Sequence, residues 1–132
     1  LQAVGDAALG VKNTSQWNKD LENDANAAFV PAYLEKYGRL PSLQSSQGFD
    51  TANLILSALD VAPVSDADAF RAALKAADFA STRGDFAFNS NHHPIQDYYV
   101  REVIQDGDVF TNKIIGTSLT DHADAYAADC KM

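Results

Sequence analysis

The feature that most constrains this chain is a change of hydrophobic period near Gly84: before it apolar residues recur every three or four positions, and after it they alternate. Over 25–37, Phe29, Val30, Tyr33, Leu34 and Tyr37 line one helical face, with Asn23 or Asp24 as the cap and Gly38 as the stop. Pro31 falls inside that face, and its missing N–H, costing about 3 kcal/mol in a helix interior, predicts either a kink or a first regular turn near Val30. After the turn Leu40-Pro41-Ser42, the segment 43–59 carries Phe49, Ala52, Leu56 and Leu59 as an apolar stripe with Ile55 beside it, and Ala62-Pro63 ends it. Ser65 with Asp68 three residues on predicts the capped start of a third helix, ending near Asp78, with Phe70, Ala73, Leu74 and Ala77 inward.

Past Gly84 the period is two. Phe86 and Phe88 share one strand face, a polar crossing containing Pro94 follows, and Val100 and Glu102 alternate with Tyr99, Arg101 and Val103. Asp106-Gly107 predicts a hairpin turn into a strand over 111–118. At the chain's start Val4, Leu9 and Val11 among small residues predict a short buried strand over 5–15, running into the bend Thr14 to Asn18. The Ala-rich tail predicts a helix over 121–129 capped by Thr120 or Asp121, with His122 and Asp124 in its first turn. The resulting class is α/β, but three helices and four short strands are too few strands to close a doubly wound sheet. Open strand edges of this kind predict dimerisation or pairing with a part of the fold that lies elsewhere.

With 132 residues and 46% apolar content, one domain is expected. A formal charge of −8, with its ten Lys and Arg scattered singly, argues against nucleic acid and anionic membrane surfaces as partners. No apolar run nears the roughly 20 residues of a membrane span, so no membrane insertion is expected, and the first residues lack the basic start and apolar core of a signal peptide. Cys130 is the single cysteine; it is either an idle thiol in the tail or half of a bond to another segment or chain. His92 and His93 are adjacent and point to opposite faces of an extended chain, so they cannot share one ion, and no metal or other cofactor is expected. No phosphate-binding glycine loop, nucleophile elbow or paired helical His occurs, and no residue set nominates a catalytic site.

Several segments, in order, carry a resemblance. Gly5-Asp6-Ala7-Ala8-Leu9-Gly10 is similar to a glycine-led strand entry; Asn23 to Val30, followed by Tyr37-Gly38-Arg39-Leu40-Pro41-Ser42, resembles a helix and its exit loop; Gln47-Gly48-Phe49-Asp50-Thr51-Ala52 resembles a helix start that reads aromatic, Asp, Ala or Thr, Ala. With His92-His93-Pro94-Ile95-Gln96-Asp97, found in a subset leaning toward aromatic acids, they resemble the closing third of a periplasmic solute-binding protein of the branched-chain-amino-acid and aromatic-acid type, the receptor of an ABC importer. Pro31 departs from that pattern.

The resemblance implies a partial type I periplasmic-binding-protein fold: a strand and first hinge crossing over 1–16, a part like the N-terminal lobe over 17–91, and a second crossing with a part like the C-terminal lobe over 92–132. It implies hinge positions at Thr14, Ser15, Asn91, His92, Pro94 and Ile95. For ligand contact it implies Trp17, as a surface stacking on a planar solute or sealing the cleft, together with Phe49 lining the cleft and Gln47 donating to a carboxylate or phenol. Packing in the hinge for Trp17 and in the core for Phe49 are the structural alternatives. The implied function is that of a non-enzymatic, periplasmic receptor fragment whose parent, exported by a signal outside this chain, passes a small carboxylate to an ABC permease. The rival readings are a self-associating interaction domain and a small-molecule enzyme domain.

Overall fold

The computed structural model describes residues 1–130. Three helices, α1 (Asp24–Tyr37), α2 (Leu43–Val61) and α3 (Ala67–Ala76), stand between a short strand β1 (Lys12–Ser15) and the strands β2 (Ala87–Phe88), β3 (Pro94–Asp106) and β4 (Val109–His122). Every pairing is antiparallel and runs through β3: β1 opposite 99–102, β2 opposite Pro94 and Ile95, and β4 along nearly its whole length. Among the described residues no helix is long and apolar enough to cross a membrane.

Local chemistry explains most boundaries. Asn23 caps α1 by accepting the Asn26 N–H at 2.8 Å, and Gly38 ends it at φ 65°. Ser42 and Ser45 form a reciprocal capping box on α2. The β3–β4 turn has a positive φ only at Gly107, the pattern of a two-residue type II′ hairpin.

Several expectations are corrected. Residues 5–15 are not one strand: Gly5 and Gly10 take left-handed φ values of 60° and 76°, a 3₁₀ turn spans Gly5–Ala8, and only Lys12–Ser15 is extended. Helix α1 starts at Asp24 and continues through Pro31, because both Pro31 and the Ala27 carbonyl it leaves unbonded lie where water reaches. The cap of α3 is Asp66, whose carboxylate accepts the Ala69 N–H at 3.0 Å, rather than Ser65. The last strands are long, at 13 and 14 residues. The tail helix over 121–129 does not form: His122 pairs with Gln96 at the end of β4 instead of sitting near a helix cap, and only a 3₁₀ turn spans Ala127–Asp129. The ladder to β3 takes 121–122, the predicted first turn, and leaves a remainder too short for a stable helix.

Packing departs most from expectation on α2. Its buried residues are Ser46, Asp50 and Ala58, while the predicted stripe stays open, with Phe49, Ile55, Leu56 and Leu59 all exposed. Among the described residues the buried apolar set is small, namely Trp17, Phe29, Val103 and five alanines. The accessible surface is 8241 Å², against about 6,800 Å² for a closed monomer of this mass. These residues are patterned for a larger core than they build by themselves.

Candidate functional site

Two buried polar centres tie the helices to the strands. The first lies where β1 ends. Trp17 is 3% exposed; its indole N–H donates to Asn26 Oδ1 at 2.8 Å and its ring meets Phe29 edge-on at 6.3 Å. Asn26 Nδ2 donates to the carbonyls of Asn18, Lys19 and Leu21, so one buried amide on α1 organises the whole bend after β1. Arg101 on β3 completes the junction, with Nε and Nη2 donating to Asn13 Oδ1 and Nη1 to the Trp17 carbonyl at 3.0 Å. Burial lowers the Arg101 pKa from its ordinary value, against a rise from nearby Asp20, and burial followed by Asp97 raises that of the neighbouring Tyr99 phenol.

The second centre binds α2 to the start of β3. Asp50, 1% exposed, accepts at Oδ1 from the Thr82 N–H at 2.9 Å and at Oδ2 from Ser81 Oγ at 2.7 Å and Arg83 Nε at 3.1 Å. Arg83 Nη1 then donates to Gln96 Oε1 at 2.9 Å. The Thr82 carbonyl accepts from Asn23, linking this centre to the α1 cap, while Thr82 Oγ1 is buried without a partner among the described residues.

The three predicted ligand residues do not converge. Trp17 presents almost no ring surface. Phe49, 40% exposed, joins Phe29, Tyr33, Tyr37, Lys36 and Ser45 around a cavity of about 290 Å³. Gln47 opens on the other flank of α2, because residues two apart on a helix do not share a face, and lines a cavity of about 250 Å³ with Arg83, Phe79, Phe86, Phe88 and Pro94. The predicted hinge residues also separate. Thr14 pairs with Val100 and Ser15 with Tyr99, so the β1 crossing lies beside the middle of β3. Asn91 and His92 form the turn before β3, His92 at φ 60°, and Pro94 and Ile95 open the strand opposite Phe88 and Ala87. Arg101, Asn13 and Arg83 were missed in the sequence, since no local motif pairs Arg83 with Asp50 across thirty-odd positions; the Asn26 network gave no periodic signal either.

A tail contact adds a pH-sensitive tie at that turn. Asn91 Nδ2 donates to Asp124 Oδ2 at 2.7 Å, and His93 Nδ1 lies 3.6 Å from the same oxygen. Asp124 is held below its ordinary 3.8 first by the Tyr126 N–H, then by Asn91, His93 and His122. A carboxylate depressed on folding stabilises the fold above its unfolded value and loses that contribution as pH falls through the folded value. Acidification below about 3.8 is therefore expected to free the tail from Asn91, which proton–nitrogen NMR would read as collapse of the distinct Asn91 side-chain amide signals before the strand amides move.

Comparison with known proteins now decides the family: the sequence pattern described as periplasmic binding protein matches residues 1–108. The chain belongs to the periplasmic binding protein family. Its fold matches an R. palustris ABC-transporter solute-binding protein in complex with benzoate at 32% identity and a TM-score of 0.85, over 99% of this chain and 36% of that one. A Rhodopseudomonas palustris HaA2 solute-binding protein in complex with p-hydroxybenzoic acid matches at 27% identity and 0.81, over 98% and 36%. One from Rhodopseudomonas palustris BisB5 in complex with 3,4-dihydroxybenzoic acid matches at 27% and 0.80, over 92% and 34%. No curated protein matches. This periplasmic binding protein segment thus spans about a third of the length of the solved receptors, a partial fold of mixed α/β type. The open apolar stripe of α2 and the excess surface have their physical counterpart in that fraction.

Proposed function

We propose that the chain is part of an extracytoplasmic receptor that binds a small carboxylate, of the benzoate or branched-chain-amino-acid class, and presents it without turnover to an ABC permease. The observation that carries this reading is the near-complete coverage of the chain by the benzoate-bound receptor. In the parent the segment corresponds to the closing third, and its periplasmic location and export follow from the same kinship. The hinge is assigned to Thr14 and Ser15 on β1 together with Tyr99 and Val100 on β3, because two strands that carry the chain between lobes in opposite directions are best placed side by side. Asn91, His92, Pro94 and Ile95 then form the entry to the second crossing, residues 17–91 belong to one lobe, and the far part of the β3–β4 hairpin to the other. Trp17 acts by holding the crossing in place and Phe49 offers the exposed ring for a planar solute. The rest of the uncovered stripe of α2, at Ile55, Leu56 and Leu59, seats the rest of the parent, or a second copy of this chain when the segment stands alone.

The test is calorimetric titration of the parent polypeptide with benzoate, 4-hydroxybenzoate and leucine. The expected result is one-to-one binding with the ligand recovered unchanged, and at least about a hundred-fold weaker binding at the hinge in the 132-residue chain, which lacks the opposing wall. Chemical conversion of the ligand, or no affinity for any carboxylate, would overturn the reading.

A further inference from the structure

We propose that the groove between α2, α3 and β2 is a docking surface for a short acidic segment of a partner protein, one that carries an apolar side chain between carboxylates. Leu54 of α2, Leu74 of α3 and Phe88 of β2 form its apolar lining, and Arg71, Lys75 and His92 its polar rim, around a cavity of about 320 Å³. The groove shares no residue with the two buried polar centres or with the β1 crossing, and it does not rest on the receptor reading. His92 alone also belongs to the turn assigned to the second crossing.

Charge decides the occupant. The chain carries 18 Asp and Glu against ten Lys and Arg, yet no carboxylate lines this groove. Arg71 and Lys75 stand four apart on α3, hence on one face, with Leu74 next to Lys75. Lys75 has no carboxylate within ion-pair distance among the described residues. Arg71 gives only Nη2 to Asp68, and because that side chain is 92% exposed, water screens the pair and leaves most of the guanidinium charge unmatched. His92 adds an imidazole on a backbone at φ 60°, fixed there by the bonds from the His92 N–H to the Asn89 carbonyl and from the Asn89 N–H to the His93 carbonyl, both 2.9 Å. Leu54, Leu74 and Phe88 are each half-buried, so an inserted side chain removes their remaining apolar surface from water. A leucine with glutamates one helical turn before and after it places carboxylates at the spacing of Arg71 and Lys75 while filling the groove. An anionic bilayer is the poorer occupant: its flat charged surface meets the acidic remainder of a chain of formal charge −8, whereas one segment meets only the groove.

The test is an NMR titration of the 132-residue chain with a synthetic peptide of about fifteen residues that carries one leucine with glutamates three and four positions to either side. Saturable shifts are expected at the Leu54 and Leu74 methyl signals and at the Phe88 ring. Two control peptides, one with glutamine in place of each glutamate and one with alanine in place of the leucine, are expected to bind at least about ten-fold more weakly. Raising the salt from about 0.05 to 0.5 M is expected to weaken the glutamate peptide and not the glutamine one. Lys75→Glu is expected to weaken the glutamate peptide by about ten-fold or more and to take up a peptide with lysine at the glutamate positions instead, a gain that an unfolded variant does not give. Equal binding of either control peptide, no shift with the glutamate peptide at millimolar concentration, shifts centred on another surface, or no preference of Lys75→Glu for the lysine peptide would each overturn the proposal. So would phosphatidylglycerol vesicles that bind as tightly and lose affinity in Lys75→Glu, which assigns the groove to a membrane, or a parent polypeptide that fails to bind the peptide, which shows the groove covered by the rest of the parent. None of these outcomes touches the receptor reading, which the carboxylate titration of the parent decides separately.

Discussion

Replacing Asp50 by Ala is expected to unfold most of the chain at room temperature. The carboxylate is 1% exposed and receives three donors, so its removal leaves the Arg83 guanidinium buried without its counter-ion and strands the Thr82 N–H and the Ser81 hydroxyl. Breaking a buried pair from one side costs about 3–5 kcal/mol. A small domain commands about 5–15 kcal/mol in total, and a segment whose buried apolar set is mostly alanine belongs at the low end. Circular dichroism melts of wild type, Asp50→Ala and the double variant Asp50→Ala/Arg83→Met check this. The double variant, with both charges gone, is expected to recover part of the loss, since an apolar side chain of similar length in that place has no charge to leave unsolvated. A midpoint shift equivalent to less than about 1 kcal/mol in Asp50→Ala would show that the network is solvated and not a structural pin.

Trp17→Ala is the second large effect. The indole is the largest side chain in the buried set, so deletion opens a cavity beside Phe29 at a cost of about 3–5 kcal/mol. It also takes the donor from Asn26 Oδ1, and that amide holds three carbonyls of the bend after β1. Trp17→Phe separates the two contributions: it keeps an aromatic ring and loses the N–H, with an expected loss of about 1–3 kcal/mol. Urea unfolding followed by circular dichroism at the helix band gives both numbers, because tryptophan fluorescence vanishes with the residue. If Trp17→Ala and Trp17→Phe lost the same stability, the hydrogen bond to Asn26 would be the whole effect and the packing against Phe29 none of it.

Both predictions fall on residues that pattern reading treated differently. Trp17 was legible as a residue of importance, with ligand contact and packing in the hinge as the two readings, and in the structure its ring meets Phe29 and its N–H donates to Asn26. Asp50 was quoted only as part of the Gln47 to Ala52 fragment. Its partners at 81, 82, 83 reach it through α3 and the loop beyond, and long-range polar pairing leaves no period in a sequence. The three helices before Gly84 were legible to within about two residues, since the cap Asn23, the stop Gly38 and the turn Leu40-Pro41-Ser42 are written locally. Strand lengths were not: β4 extends to His122 because β3 offers it a ladder, against the local preference of an Ala-rich tail.

By itself the sequence determined the α/β class, the order of three helices before a hairpin, the cap and stop of α1, and the kinship with receptors that span nearly three times its length. Those properties follow from nearest-neighbour chemistry: periodicity, turn residues and short motifs act over a few positions. Only the tertiary structure decided which face of α2 is buried, that β1 lies against Tyr99 and Val100, that Gln47 and Phe49 open on different flanks, and that Arg83 is held by Asp50 and Gln96. Burial is a property of what packs against a face, and here much of what the apolar stripe of α2 was patterned to meet is not contributed by these residues.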